Sequence, residues 1–240
     1  MTPEEKYRGE QEWAQRARER ERRAEEEEAR DVERLFSIKP IRVRMGGREW
    51  LIPANYFGPK GRDKPDSLDL DYFGFHLFLP DYRGFDKENW RDPFDSRQIH
   101  VFDVSSVDKT QMIPASGGGT KLITPAQYGD PQAQFANSRS SLEAHPSLRA
   151  NGLVGYRDLN PDSPIVWTGT RSNGEFFFFS ATLAPGERPS PGRSNPLCQA
   201  DYYSEKEDLR VAYRYSQQNF AKWLAIDGAI WAKLHQWRVK

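Results

Sequence analysis

Cysteine is almost missing from this chain: Cys198 is the only one among 240 residues. A lone thiol excludes an intramolecular disulfide and a thiolate metal cluster. It sits in the strand-like Leu197-Cys198-Gln199-Ala200-Asp201-Tyr202, where a small buried hydrophobe is expected rather than a nucleophile. Long apolar runs are absent too. No stretch approaches the roughly 20 residues that span a bilayer, and the N-terminus lacks the apolar segment of a signal peptide. Neither charge is in surplus, since 35 basic residues balance 35 acidic ones. A neutral chain with no basic stripe gives no electrostatic reason to expect nucleic acid as a partner.

What is present begins with a break in composition at Arg34–Phe36. Before it, the run from Arg16 to Glu28 offers almost nothing that a core could bury, and the first 36 residues carry 9 basic and 12 acidic side chains. Residues 10–35 read as one charged helix. Glutamate precedes arginine by four at Glu4/Arg8, Glu12/Arg16, Glu19/Arg23 and Glu26/Arg30, each pair contributing about 0.2–0.5 kcal/mol. A coiled-coil seam through Trp13, Ala17, Ala24 and Leu35 is interrupted by Arg20, Glu21 and Glu28. A solvated spacer is therefore expected rather than a dimerisation helix. The chain divides into a charged arm at 1–36 and a single α+β domain at 37–240, long enough to bury roughly 70% of its unfolded surface.

The domain reads as a mainly antiparallel β-sheet with a C-terminal covering helix. Residues 38–44 and 49–52 form a hairpin about Gly46-Gly47. Polar loops at 58–71 and 81–97 flank a buried strand at 73–79, and 99–104 is a further strand. The stretch 105–150 shows little pattern. A second hairpin joins 165–168 to 176–179 through Asn173-Gly174, and its four successive phenylalanines predict a strand buried on both faces. Residues 184–196 are a loop, and 198–203 pairs with 209–215. Ser216 is the expected N-cap of the last helix, whose apolar stripe runs through Phe220, Trp223, Ile230, Leu234 and Trp237.

Candidate chemistry is sparse. The acidic loop holding Asp63, Asp66, Asp69 and Asp71 is the best place for a hard cation. Leu68 and Leu70 interrupt the alternation, however, and no glutamate follows at the twelfth position, so an acidic face toward a basic partner is expected. His76 and His100 each lie in a strand and would meet if those strands pair. With Asp81 or Asp103 they would form a transition-metal site, although half-buried, hydrogen-bonded histidines are the simpler expectation. His145 precedes Pro146 in a loop, and His235 lies on the last helix. The turn from Gly169 to Gly174 lacks the spacing of a nucleophile elbow. In Gly117-Gly118-Gly119-Thr120-Lys121 the lysine follows the threonine, unlike a phosphate loop. Arg42, Arg44 and Arg48 near Trp50 read as outward-facing strand residues rather than a nucleic-acid surface. No cofactor is expected.

Two stretches carry a family resemblance. One is the hairpin from Ile41 to Phe57 followed by Gly74-Phe75-His76-Leu77-Phe78-Leu79-Pro80-Asp81-Tyr82; the other is Tyr213-Arg214-Tyr215 with Phe220, Trp223, Ile226 and Asp227. Together they resemble immunity proteins encoded beside type VI secretion effectors, notably those that guard the periplasm against lipase-like or cell-wall-degrading toxins. The resemblance implies a non-catalytic inhibitor that binds its cognate effector. It also implies placement in the periplasm or at the inner membrane, with the charged arm as a spacer to an anchor upstream of Met1; a cytoplasmic location is the alternative. Aromatic anchors and charges on exposed loops would then carry the contact, with Asp66, Asp69, Asp71, Tyr82, Asp86 and Trp90 as the expected residues. The rival readings are a small metal-dependent hydrolase using His76 and His100, and an adaptor that binds through its arm.

Overall fold

A computed structural model describes residues 3–57, 66–90, 92, 95–106, 111–114, 120–123, 142–158, 163–187, 196–204 and 206–240. Helix α1, Pro3–Leu35, starts earlier than the expected residue 10. A proline is tolerated in a helix's first turn, where its missing N–H has no partner to lose. Along it, Arg23 meets Glu19 at 3.0 Å, while Arg22 and Arg30 approach Glu26 at 3.6 and 4.0 Å. From residue 13 to residue 30 the helix is exposed or half-exposed throughout, and Trp13 is 72% exposed.

Strands β1 (Pro40–Met45) and β2 (Arg48–Pro53) form the expected hairpin. Gly46 and Gly47 hold φ of 53° and 71°, the left-handed pair that a two-residue turn with the right twist requires. Strand β3, Ser67–Asp69, was expected to be loop; it instead pairs parallel with β1, placing Leu68 opposite Val43. The remaining strands are β4 (Tyr72–Phe78), β5 (Gln98–Ser105), β6 (Gln111–Pro114), β7 (Thr120–Ile123), β8 (Leu142–Ala150), β9 (Leu153–Asp158), β10 (Ile165–Thr170), β11 (Phe176–Ala181), β12 (Leu197–Ser204) and β13 (Leu209–Ser216). Eight of them form one antiparallel sheet in the order β4-β5-β13-β12-β11-β10-β9-β8, and β6 with β7 form a separate pair.

Three expectations about this region need correction. The stretch 105–150 contains β6, β7 and β8. His145 falls in β8 rather than a loop, and the β8–β9 register shifts between Ala144 and Arg149, which accommodates Pro146 and its missing N–H. The phenylalanine run is buried on one side only: Phe177 and Phe179 are inside, while Phe176 and Phe178 are half-buried on the other face. The sheet is antiparallel with a helix on one side, so its strands alternate.

Helix α2, Trp223–Trp237, covers the inner face. Ser216 does not cap it. The chain leaves β13 in extended conformation and passes through a 3-10 turn, Gln217–Lys222, before α2 begins. Trp223 stacks on Phe177 with ring centroids 5.3 Å apart, Trp237 meets Phe75 at 5.1 Å and Trp231 meets Tyr202 at 6.4 Å. Ile226, Ile230 and Leu234 complete the contact, fully buried. The residues after α2 return to the small sheet, where the Val239 N–H donates to the Glu49 carbonyl at 2.8 Å. One contiguous core therefore runs from Val43 and Trp50 through the large sheet to α2. Losing one of these buried tryptophans costs about 3–5 kcal/mol.

Candidate partner-binding surface

Two polar systems stand out, one on each face of the eight-stranded sheet. On the inner side, Asp227 of α2 is 2% exposed in the middle of an apolar helix face. Its Oδ2 accepts from Arg171 Nε at 2.8 Å, and its Oδ1 accepts from Tyr213 at 3.1 Å and from Tyr202. The Trp231 indole donates to the Tyr202 hydroxyl at 2.7 Å. Arg171 also pairs with Glu175 at 2.6 Å, and Glu175 accepts from Ser204 at 3.0 Å and Asn173 at 2.7 Å. Burial opposes the Arg171 charge, but Tyr202, Asp227 and Glu175 outweigh it and raise its pKa. Burial and the Asp227 charge push Tyr202 and Tyr213 well above the usual phenol range. This system is closed: the turn after β10, strands β12 and β13, and α2 are tied by charges that already have partners.

The outer side differs. Register places His76, His100, Arg214, Gln199, Ser180, Val166 and Tyr156 in one row across β4, β5, β13, β12, β11, β10 and β9. Alternation turns this row away from α2, because the residues between them are the ones α2 covers. His76 and His100 do meet: their rings stack with centroids 4.4 Å apart and planes 8° from parallel. The Gln98 amide nitrogen lies 3.0 Å from His76 Nδ1. Burial, followed by the His100 and Arg214 charges, pushes His76 down to about 3; burial and Arg214 push His100 down to about 4. The in-plane lone pairs of two parallel stacked rings run side by side instead of converging on one point. Among the described residues no group of three or more His, Cys, Asp or Glu side chains is placed to hold a metal ion.

The six residues expected as partner contacts fall into two groups. Asp66 and Asp69 are exposed beside β1, with Lys39 2.9 Å from Asp66 and Arg44 3.7 Å from Asp69; Asp71 is exposed just before β4. Tyr82, Asp86 and Trp90 belong to the loop after β4. Tyr82 has a φ of 57° and packs partly against the core. Asp86 caps its own turn, accepting from the Glu88 and Asn89 N–H groups at 2.8 and 3.1 Å. Trp90 packs edge-on to Phe36 at 6.3 Å, beside Phe78 and Phe85. Cys198 is fully buried, and burial raises its thiol to about 12, as expected for a packing residue.

The sequence singled out the two histidines but not Arg214, which lies in register between His100 and Gln199. The alternation Arg210-Val211-Ala212-Tyr213-Arg214-Tyr215 gives the face of each arginine. It does not say which one finds a carboxylate.

Neither a family model nor a curated protein matches the chain. Among solved structures, its fold is similar to that of Smlt3025, an immunity protein of the Stenotrophomonas maltophilia type IV secretion system. The TM-score is 0.58 at 16% sequence identity, over 85% of this chain and 95% of that one. The likeness is one of fold.

Proposed function

We propose that this chain is an immunity protein that binds and neutralises a secreted antibacterial effector without catalysing a reaction. The observation that carries the reading is the likeness of its fold, over 85% of this chain and 95% of the other, to a secretion-system immunity protein. The sequence resemblance points to a type VI system and the structural neighbour serves a type IV system, so the secretion genes flanking this one identify the delivery route. The target is a periplasm-acting lipase or cell-wall hydrolase, and the chain acts in the periplasm. In this reading residues 1–36 are a spacer that holds the domain at 37–240 away from an anchor. The exposed Asp66, Asp69 and Asp71 meet basic residues of the toxin, while Tyr82, Asp86 and Trp90 shape the neighbouring loop. The side-by-side geometry of His76 and His100 supports packing over metal chemistry.

The test is protection. Cells that express the toxin from the adjacent reading frame in their periplasm survive when this chain is co-exported and die without it. Death in both cases contradicts the reading. Charge reversal at Asp69 and Asp71 is expected to weaken protection; full protection by that variant removes the acidic strand from the interface.

A further inference from the structure

Two arginines on β13 share the outer face of the sheet, four residues apart. Arg210 is held by Asp201 at 2.6 and 2.8 Å and by Asp103 at 3.0 Å. Arg214 is exposed, and among the described residues no carboxylate pairs with it. Its register neighbours, His100 and Gln199, bring no negative charge. The Gln98 amide nitrogen lies 3.0 Å from His76 Nδ1 and ties the two side chains together. Neighbouring strands are about 4.8 Å apart, so the row from His76 to Gln199 covers roughly 14 Å. Over that span it carries polar side chains around one positive charge that no carboxylate among the described residues compensates. Tyr72 and Leu197, 62% and 37% exposed, lie on the same face by alternation and supply apolar surface at its margins.

We propose that Arg214, flanked by His100 and Gln199, receives an aspartate or glutamate side chain of the bound toxin. The proposal rests on the reading of this chain as a toxin-binding protein and adds a contact surface to it. The complement of a guanidinium on an open sheet is a planar carboxylate, held by two parallel N–H···O bonds. Burial, with the Arg214 charge adding to it, keeps both imidazoles neutral at neutral pH, so the positive charge that the row presents is that of Arg214. A free small anion would find no enclosure here, because the guanidinium is open to water. A protein partner brings its own, as its surrounding residues cover the row and exclude solvent.

Two experiments on the full chain test this. In the first, a capped hexaglutamate peptide is titrated while the Arg214 Nε–Hε and His100 ring signals are followed by NMR, with capped hexaglutamine and inorganic phosphate as comparators. The glutamate peptide alone is expected to shift these signals, and Arg214→Gln to lose the shift while keeping the dispersed spectrum of a folded chain. No shift, an equal shift with phosphate, or an undiminished shift in Arg214→Gln overturns the proposal. In the second, affinity is measured for the toxin encoded beside this gene. Arg214→Gln is expected to weaken it about tenfold and Arg214→Glu about a hundredfold. Unchanged affinity in both variants overturns the docking site and leaves the toxin-binding reading standing. No binding by the wild type overturns that reading, and with it the toxin as the occupant of the row.

Discussion

Arg171 and Arg214 carry the same charge on opposite faces of one sheet, and folding treats them differently. Arg171 is buried to 6% exposure, bonded to Asp227 and Glu175, and stacked 5.0 Å over the rings of Tyr202 and Trp231. Arg214 is exposed, beside the His100 imidazole and the Gln199 amide. The first is part of the fold, and removing any member leaves a buried charge or hydroxyl without a partner. The second can be removed with little effect on the fold. A charge buried and neutralised inside the fold, as Arg171 is, cannot reach a partner, whereas an exposed one that no carboxylate among the described residues pairs with can.

The largest expected effect lies on the closed side. Asp227→Ala takes the acceptor from Arg171 Nε and from the Tyr202 and Tyr213 hydroxyls, leaving Glu175 as the one carboxylate on Arg171 among the described residues, and should cost about 3–5 kcal/mol in urea unfolding. Arg214→Ala should stay within about 0.5 kcal/mol of the wild type. Similar losses in the two variants would break the contrast.

A smaller effect concerns the histidine pair. An unfolded histidine titrates near 6.5, whereas His76 and His100 are held down to about 3 and about 4 in the fold. The unfolded chain therefore binds protons first. Their contribution to stability is complete above pH 6.5 and is lost progressively as pH falls toward 4. The slope is about 1 kcal/mol per pH unit for each ring. His76→Phe keeps an aromatic ring in the stack and should flatten the fall in urea midpoint between pH 7 and pH 5. An unchanged slope would show that the pair does not set acid stability.

The smallest effect is expected from deleting residues 1–35, which spares Phe36 and its contact with Trp90. The arm's ion pairs are surface pairs, worth only tenths of a kcal/mol each. The urea midpoint should barely move and protection against the toxin should survive. Loss of protection with intact folding would move the binding element into the arm.

The parts of this molecule legible in the sequence are those set by local rules. Paired glycines marked the first hairpin, Glu/Arg spacing marked the arm, and three- and four-residue apolar spacing marked the final helix. His76 and His100 could be expected to meet because neighbouring strands brought them together. Other features depended on distant partners. Strand β3 is only three residues long, Ser67–Asp69, and is too short for its pairing with β1 to give a periodic signal. Asp227 and Arg171 are 56 residues apart, and only the packing of α2 shows that this aspartate is buried rather than solvated. The phenylalanine run misled for a related reason: composition counts apolar residues but does not say how many faces of the sheet are covered. Arg210 and Arg214 are alike in sequence, and only Asp103 and Asp201 distinguish them.

Titration calorimetry of the full chain against the toxin encoded in the adjacent reading frame tests the central claim most directly, with wild type and Arg214→Glu run side by side. The wild type is predicted to bind in a defined stoichiometry, and Arg214→Glu to bind about a hundredfold more weakly at an unchanged urea midpoint. Wild-type chain that gives no binding heat and no protection, or an Arg214→Glu variant that binds as tightly as the wild type, would contradict the account.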